Sequence, residues 1–207
     1  MGIDEAGRGC VLGDLVIAAF VCDDPDDHDL RDAGATDSKA LSPARRVAAR
    51  TALVELGQAH VVHVTPRQID AENLNRLEEA AIIELIKSTR PDVVYLDALG
   101  HPRTLPALEK RLHDQLPADL KHIDWTIEPK ADANYPVVGA ASIFAKTARD
   151  EALQALVDAF GPLGSGYPGD PRTKEWLVEW SRTGAPWPAF VRTRWATITE
   201  LAQPVLW

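Results

Sequence analysis

Asp4 and Glu5 stand side by side near the start of the chain and run straight into Ala6-Gly7-Arg8-Gly9. Carboxylate oxygens suit hard divalent cations such as Mg²⁺ and Mn²⁺. Glycines beside an arginine let bare backbone and a positive charge approach sugar and phosphate together. The pattern points to metal-assisted chemistry on a nucleic-acid backbone. Two further acids lie where such chemistry is commonly placed. Asp97 closes the apolar run Val93-Val94-Tyr95-Leu96, and Asp132 precedes a long helical stretch. Taken singly, each has an ordinary reading: a loop acid for Asp4 or Glu5, a helix-capping charge for Asp132. Their weight comes from convergence, since four acids at four element edges can meet around two cations.

Positioning these acids requires a sheet. Runs rich in β-branched and apolar residues at 2–6, 14–22, 60–65, 92–98 and 122–128 predict five strands. Ser42-Pro43 predicts an N-cap and first helical residue for a helix over 44–56. Amphipathic spacing predicts helices over 74–86 and 105–116, and the longest over 140–160, ending at Gly161-Pro162. A Gly- and Pro-rich loop follows at 164–171, then helices over 174–180 and about 190–201. The fold expected is α/β: a five-stranded mixed sheet with helices on both faces and a small C-terminal helical appendage. Residues 1–162 would form the catalytic domain, and 163–207 a substrate-contacting loop with a helical extension. Five of the six tryptophans lie at 176 or beyond, which suggests a packed helical tail. One geometric tension remains. Consecutive side chains on a strand point to opposite faces, so Asp4 and Glu5 share a site only where the strand ends or is irregular.

Composition sets limits. A chain of 207 residues with 45% hydrophobic content can build one substantial core. No apolar run reaches membrane-span length and no signal sequence opens the chain, so a cytoplasmic, membrane-free monomer is expected. Cys10 and Cys22 lack metal-ligand spacing and are expected to be reduced core residues. The net charge of −9 argues weakly against nucleic acid, because bound cations and a local basic patch set the field at a site. The acidic stretch from Asp23 to Asp29 reads as a solvated loop. A dinucleotide-binding fingerprint does not fit, since Gly13 comes one residue late and a β-rich run follows in place of a helix.

Several motifs together resemble one family. Gly2-Ile3-Asp4-Glu5-Ala6-Gly7-Arg8-Gly9, Asp37-Ser38-Lys39-Ala40-Leu41-Ser42, Tyr95-Leu96-Asp97-Ala98, the stretch from Lys130 to Asp150, and Gly164-Ser165-Gly166-Tyr167-Pro168 are similar to ribonuclease HII, in family order. The form is closer to its archaeal and eukaryotic branch. The resemblance implies a ribonuclease H-like fold and an endoribonuclease that cuts the RNA strand of RNA–DNA hybrids. It also implies incision 5′ of single ribonucleotides embedded in duplex DNA, leaving 5′-phosphate and 3′-hydroxyl ends, as part of DNA replication and repair. By motif, Asp4, Glu5, Asp97 and Asp132 correspond to catalytic acids holding two Mg²⁺ or Mn²⁺ ions. Gly7, Arg8 and Gly9 correspond to the segment that contacts the ribose 2′-hydroxyl, and Tyr167 to a tyrosine that packs on the neighbouring deoxyribose. Asp14 departs from the proline expected after Gly13.

Lys39, Arg45, Arg46 and Lys146 are candidate phosphate contacts with Arg8; motif context favours Lys39 and Lys146, while a solvated helix face is the preferred reading of Arg45 and Arg46. Ser142 reads as a small residue that permits close packing, and no histidine has catalytic spacing. Gln203-Pro204-Val205-Leu206-Trp207 faintly resembles the start of a sliding-clamp-binding peptide, with plain helix termination as the alternative.

Overall fold

The computed structural model describes residues 1–26, 28–35, 41–98 and 102–201. Its centre is a sheet of β1 (Gly2–Ala6), β2 (Leu15–Val21), β3 (Gln58–Val64), β4 (Val93–Asp97) and β5 (Asp124–Glu128). The spatial order is β3-β2-β1-β4-β5. β1 pairs antiparallel with β2 and parallel with β4, so the sheet is mixed. The parallel register aligns Gly2 with Tyr95 and Ile3 with Leu96. One step further, Asp4 and Asp97 lie together where β4 runs out. In open α/β sheets a ligand crevice forms where neighbouring strands end beside each other.

The remaining elements are α1 (His28–Asp32), α2 (Pro43–Leu53), α3 (Pro66–Ala71), α4 (Leu74–Thr89), α5 (Leu105–Gln115), α6 (Ala131–Asn134), α7 (Pro136–Phe160), α8 (Pro171–Arg182) and α9 (Ala196–Leu201). Ser42 caps α2 by accepting the Arg45 amide, with Pro43 in the first turn, as its sequence predicts. α7 ends at Gly161, whose φ of 82° breaks the helix.

Strand alternation divides the core. Met1 and Ile3 join a cluster with Ile82, Leu85 and Ile86 of α4 and Leu108 and Leu112 of α5. On the other face, Ala6, Ala18 and Phe20 pack with Val137, Ala140, Ala141 and Phe144 of α7. α7 comes so near β1 that a Cβ on Gly2 would lie 2.3 Å from the Val137 carbonyl oxygen. Only glycine fits there. A third cluster joins Val11 and Leu12 to Leu163, Trp176, Leu177, Phe190, Val191 and Ile198.

The helix expected from about 190 begins at Ala196 instead. Residues 190–192 form a strip tied to residues 11–13 by an isolated Leu12–Val191 bridge, with Gly13 N donating to Phe190 O and Arg192 N to Val11 O. Those pairings take the backbone groups a helical turn would use. α1 also begins inside the acidic stretch read as a loop. No helix among the described residues is long and apolar enough to cross a membrane.

Candidate active site

Asp4 sits on the even-numbered face of β1, towards α7, and Glu5 on the odd-numbered face, towards α4. Alternation therefore holds, and the two acids share a site because the strand ends just beyond them. Both line one cleft of about 420 Å³ with Gly7, Arg8, Gly9, Arg46, Asp97, Lys146, Arg149, Asp150 and Tyr167. Asp4 is buried and accepts a hydrogen bond from Ser142 of α7. Lys146 Nζ in turn donates to Ser142 Oγ at 2.9 Å. The lysine's charge thus reaches Asp4 both directly and through a hydroxyl.

Burial raises the Asp4 carboxyl to about 6, opposed by the Ser142 bond and reinforced by the charge of Asp97. Glu5, partly open to the cleft but ringed by protein, is raised to about 8 by burial and then by Asp4 and Glu78. Like charges held this close in a poorly solvated place favour protonation or a bound cation. All-oxygen donors make that cation a hard one.

Asp97 is fixed by its Oδ1, which accepts from Ala98 N at 3.1 Å and Ala131 N at 3.0 Å. The second bond reaches the residue that precedes Asp132. Asp132 is itself buried in α6, beside the acids but not in the cleft lining. Among the described residues, no three of these four acids bring ligand oxygens within 4.8 Å of one another. Coordination shared by three or more of these acids therefore requires side-chain movement. The trio that does meet that spacing, His28, Asp29 and Asp32, lies exposed on α1, away from the cleft.

The facing wall is the glycine-rich segment. Gly7 has a φ of 87° and its carbonyl accepts from Cys10 N, closing a tight turn that exposes backbone to the cleft. The Arg8 and Gly9 amides have no hydrogen-bond partner within the chain among the described residues. Arg8 turns its side chain outward, donating to buried Glu78 and to Asn75 Oδ1 at 2.6 Å. Tyr167 closes this side, 42% exposed, with its ring 3.8 Å from where a Cβ on Gly9 would stand. Arg149 holds the tyrosine, its guanidinium 5.1 Å from the ring centre and donating to Ser165 O at 2.5 Å and Cys10 Sγ at 2.9 Å.

The ribonuclease HII family model matches residues 1–198. Ribonuclease HII of Archaeoglobus fulgidus is 39% identical over 209 residues, covering 99% of this chain and 97% of that protein. The chain belongs to the ribonuclease HII family. Two solved structures agree. The PCNA:RNase HII complex from Archaeoglobus fulgidus superposes with a TM-score of 0.85 at 37% identity, covering 99% and 97% of the two chains. Ribonuclease H2 from Pyrococcus horikoshii superposes at 0.86 with 38% identity, covering 97% and 95%. As a ribonuclease HII family member the protein has the ribonuclease H-like fold and is a metal-dependent nuclease that hydrolyses phosphodiester bonds. Family membership implies ribonuclease H activity on RNA–DNA hybrids.

Within that family frame, the structure brings Asp4, Glu5, Asp97, Gly7, Arg8, Gly9, Lys146 and Tyr167 to one cleft, with Asp132 adjoining. Lys39 lies outside the described residues. Arg46, read as a solvated residue, lines the cleft but pairs with Asp150 at 2.7 Å. Arg45 does not line the cleft. Sequence reasoning missed Glu78, Arg149 and Arg192. A signal existed for Glu78. It falls four residues after Leu74 and four before Ile82, on the apolar stripe of α4. Cys10, expected in the core, is buried, and burial pushes its thiol pKa up, which keeps it unreactive.

Proposed function

We propose that the protein cuts the RNA strand of RNA–DNA hybrids and incises 5′ of single ribonucleotides in duplex DNA. The observation that carries this reading is the pairing of two walls in one cleft. Clustered carboxylates lie on one side, and unpaired backbone amides with a half-exposed tyrosine lie on the other.

Asp4, Glu5, Asp97 and Asp132 would hold two divalent cations, Mg²⁺ or Mn²⁺. Bound there, such cations would polarise the scissile phosphate and lower the pKa of the attacking water. The chain's own groups do the rest. Ser142 and Lys146 fix the Asp4 carboxylate, while the Ala98 and Ala131 amides fix Asp97. Attack by water on phosphorus breaks the bond to the 3′-oxygen. The products carry a 3′-hydroxyl and a 5′-phosphate.

The Arg8 and Gly9 amides can donate to a 2′-hydroxyl, the group that distinguishes a ribonucleotide from its neighbours. A donor left unpaired by the wrong sugar discriminates strongly. Tyr167 would then pack on the next deoxyribose. Lys146, on the cleft wall, and Lys39 are phosphate contacts in this reading. Arg8, committed to Glu78, contributes backbone in place of charge.

The test compares a duplex carrying one ribonucleotide with the same duplex in all-DNA form. Each is incubated with chelator, Mg²⁺ or Mn²⁺. Cutting 5′ of the ribonucleotide only when cations are present is expected. Equal cutting of all-DNA would mark a DNA nuclease of the same fold.

The same reading places a cytoplasmic monomer in replication and repair. The Archaeoglobus fulgidus relative was solved with PCNA, which supports a sliding clamp as a partner of this chain too. The segment from Gln203 to Trp207, the expected contact, lies outside the described residues. Co-elution of the full chain with a clamp, lost on deleting 203–207, is the outcome that checks it.

A further inference from the structure

Arg192 is fully buried, lies in the C-terminal strip and is remote in sequence from every motif residue. All three of its side-chain donor groups end on one loop. Nη2 donates to Gly7 O at 2.8 Å, Nη1 to Arg8 O at 2.9 Å and Nε to Gly13 O at 3.0 Å. Its backbone amide donates to Val11 O of the same loop, and its guanidinium stacks 5.1 Å from the Trp195 ring centre. Among the described residues no carboxylate lies within ion-pairing distance of it. Buried charges are normally paired with opposite charge. Here a whole guanidinium serves the carbonyls of a single turn.

That turn forms the cleft wall. In a trans peptide the carbonyl and the following amide point in opposite directions. Holding the Gly7 and Arg8 carbonyls therefore also fixes the Arg8 and Gly9 amides, turned away from Arg192. Both amides lack a partner among the described residues, and their residues line the cleft. Successive amides displayed by a turn with a left-handed residue, as at Gly7 with φ of 87°, form a concave site for an electron-rich oxygen.

We propose that Arg192 is a positioning residue for sugar recognition, its fork of donors holding the Gly7, Arg8 and Gly13 carbonyls so that the Arg8 and Gly9 amides face the sugar 2′-oxygen. It rests on the reading that this segment faces the ribose. The geometry asks for a guanidinium in particular. A lysine keeps the charge, but its single ammonium on a flexible stem cannot reproduce three fixed donor directions. Burial lowers the Arg192 pKa to about 10, which leaves it cationic at neutral pH.

The experiment measures binding, so that catalysis and recognition stay separate. In an Asp97→Asn background, dissociation constants are measured with Ca²⁺ present for two duplexes that differ by one 2′-hydroxyl. The parent is expected to prefer the ribonucleotide duplex at least tenfold. Adding Arg192→Lys or Arg192→Gln should remove most of that preference, at least fivefold, while affinity for all-DNA duplex stays within twofold. Ile198→Ala, which loosens the same C-terminal packing without touching the three carbonyls, should lower the melting temperature and keep the preference. A folded Arg192→Lys protein that retains the parent's preference would overturn the proposal and leave ribonucleotide recognition standing. Loss of preference in Ile198→Ala as large as in Arg192→Lys would overturn it too, because general loosening would then account for both. A parent with no preference would bring down the recognition reading together with this one.

Discussion

The two walls of the cleft are built by different means. The acid wall rests on the ends of paired strands. Asp4 and Asp97 are brought together by the parallel register of β1 and β4, and Asp97 is locked by amides at 98 and 131. The glycine wall is held from afar, by Glu78 of α4, by Arg149 of α7 and by Arg192 beyond α8. Sheet register is a repeated interaction with few alternatives. A turn closed by a single backbone bond, from Cys10 N to Gly7 O, needs outside partners to adopt one shape. In the proposed reading, chemistry is anchored in the sheet, and discrimination in side chains that reach the turn from other parts of the fold.

The largest effect should come from breaking the acid wall. Asp97→Asn keeps an oxygen able to accept from Ala98 and Ala131 but removes a charge, so the fold should survive. Cleavage should fall by about a hundredfold or more, since even outer-shell changes at metal sites cost about 10–100-fold. Near wild-type turnover in steady-state assays would remove Asp97 from the site.

Breaking the other wall should be milder and different in kind. Tyr167→Ala should lower incision at a lone ribonucleotide about tenfold, on the order of 1.4 kcal/mol, as the ring's apolar packing on the deoxyribose is lost. Hybrid affinity should fall less. Equal losses in gel-shift and cleavage measurements would show that the ring binds without selecting.

Between the walls stands Ser142. Ser142→Ala removes the hydroxyl linking Lys146 to Asp4 while leaving small-residue packing intact. Activity should drop about three- to tenfold, consistent with loss of a bond to a charged group worth about 1.5–3 kcal/mol in part compensated by direct attraction to Lys146. The half-saturating Mn²⁺ concentration should rise. Unchanged metal dependence would reduce Ser142 to a packing residue.

The smallest effect is on stability. With folded-state pKa values of about 6 and about 8 for Asp4 and Glu5, the native protein holds protons that the unfolded chain has released. Stability in chelator should therefore be highest below about pH 4–5, as far as these two groups are concerned, and fall as pH rises towards 8. Melting scans should show a decline of a few degrees over that range, reversed at pH 8 by Mn²⁺. A flat profile would mean that the acids are better solvated than their burial implies.

Legibility in the sequence follows the same division. All five strands could be located because runs of apolar and β-branched residues are written into consecutive positions. The span of α7 was found from 140 onwards. Its first turn, Pro136 to Gly139, was missed because proline and glycine mask helical periodicity. The strip at Phe190–Arg192 was expected to be helical, since its pairing with residues 11–13 leaves no local trace. Arg192 is one arginine in a tryptophan-rich tail, and nothing nearby marks it. Glu78 was legible in principle from its place on an apolar stripe. Ser142 was read as a packing residue because a small side chain satisfies that role without reference to Asp4.

α7 imposes a constraint of another kind. Ser142, Lys146, Arg149 and Asp150 follow one another at intervals that keep them on one side of a rigid rod, and over this span the rod is about 12 Å long at ~1.5 Å per residue. One end touches Asp4 and the other holds Tyr167. Inserting or deleting one residue between 142 and 149 would swing the Tyr167 end about 100° around the axis. Descendants of this chain are free to vary the identity of many helix residues, but the number of residues in that segment is fixed.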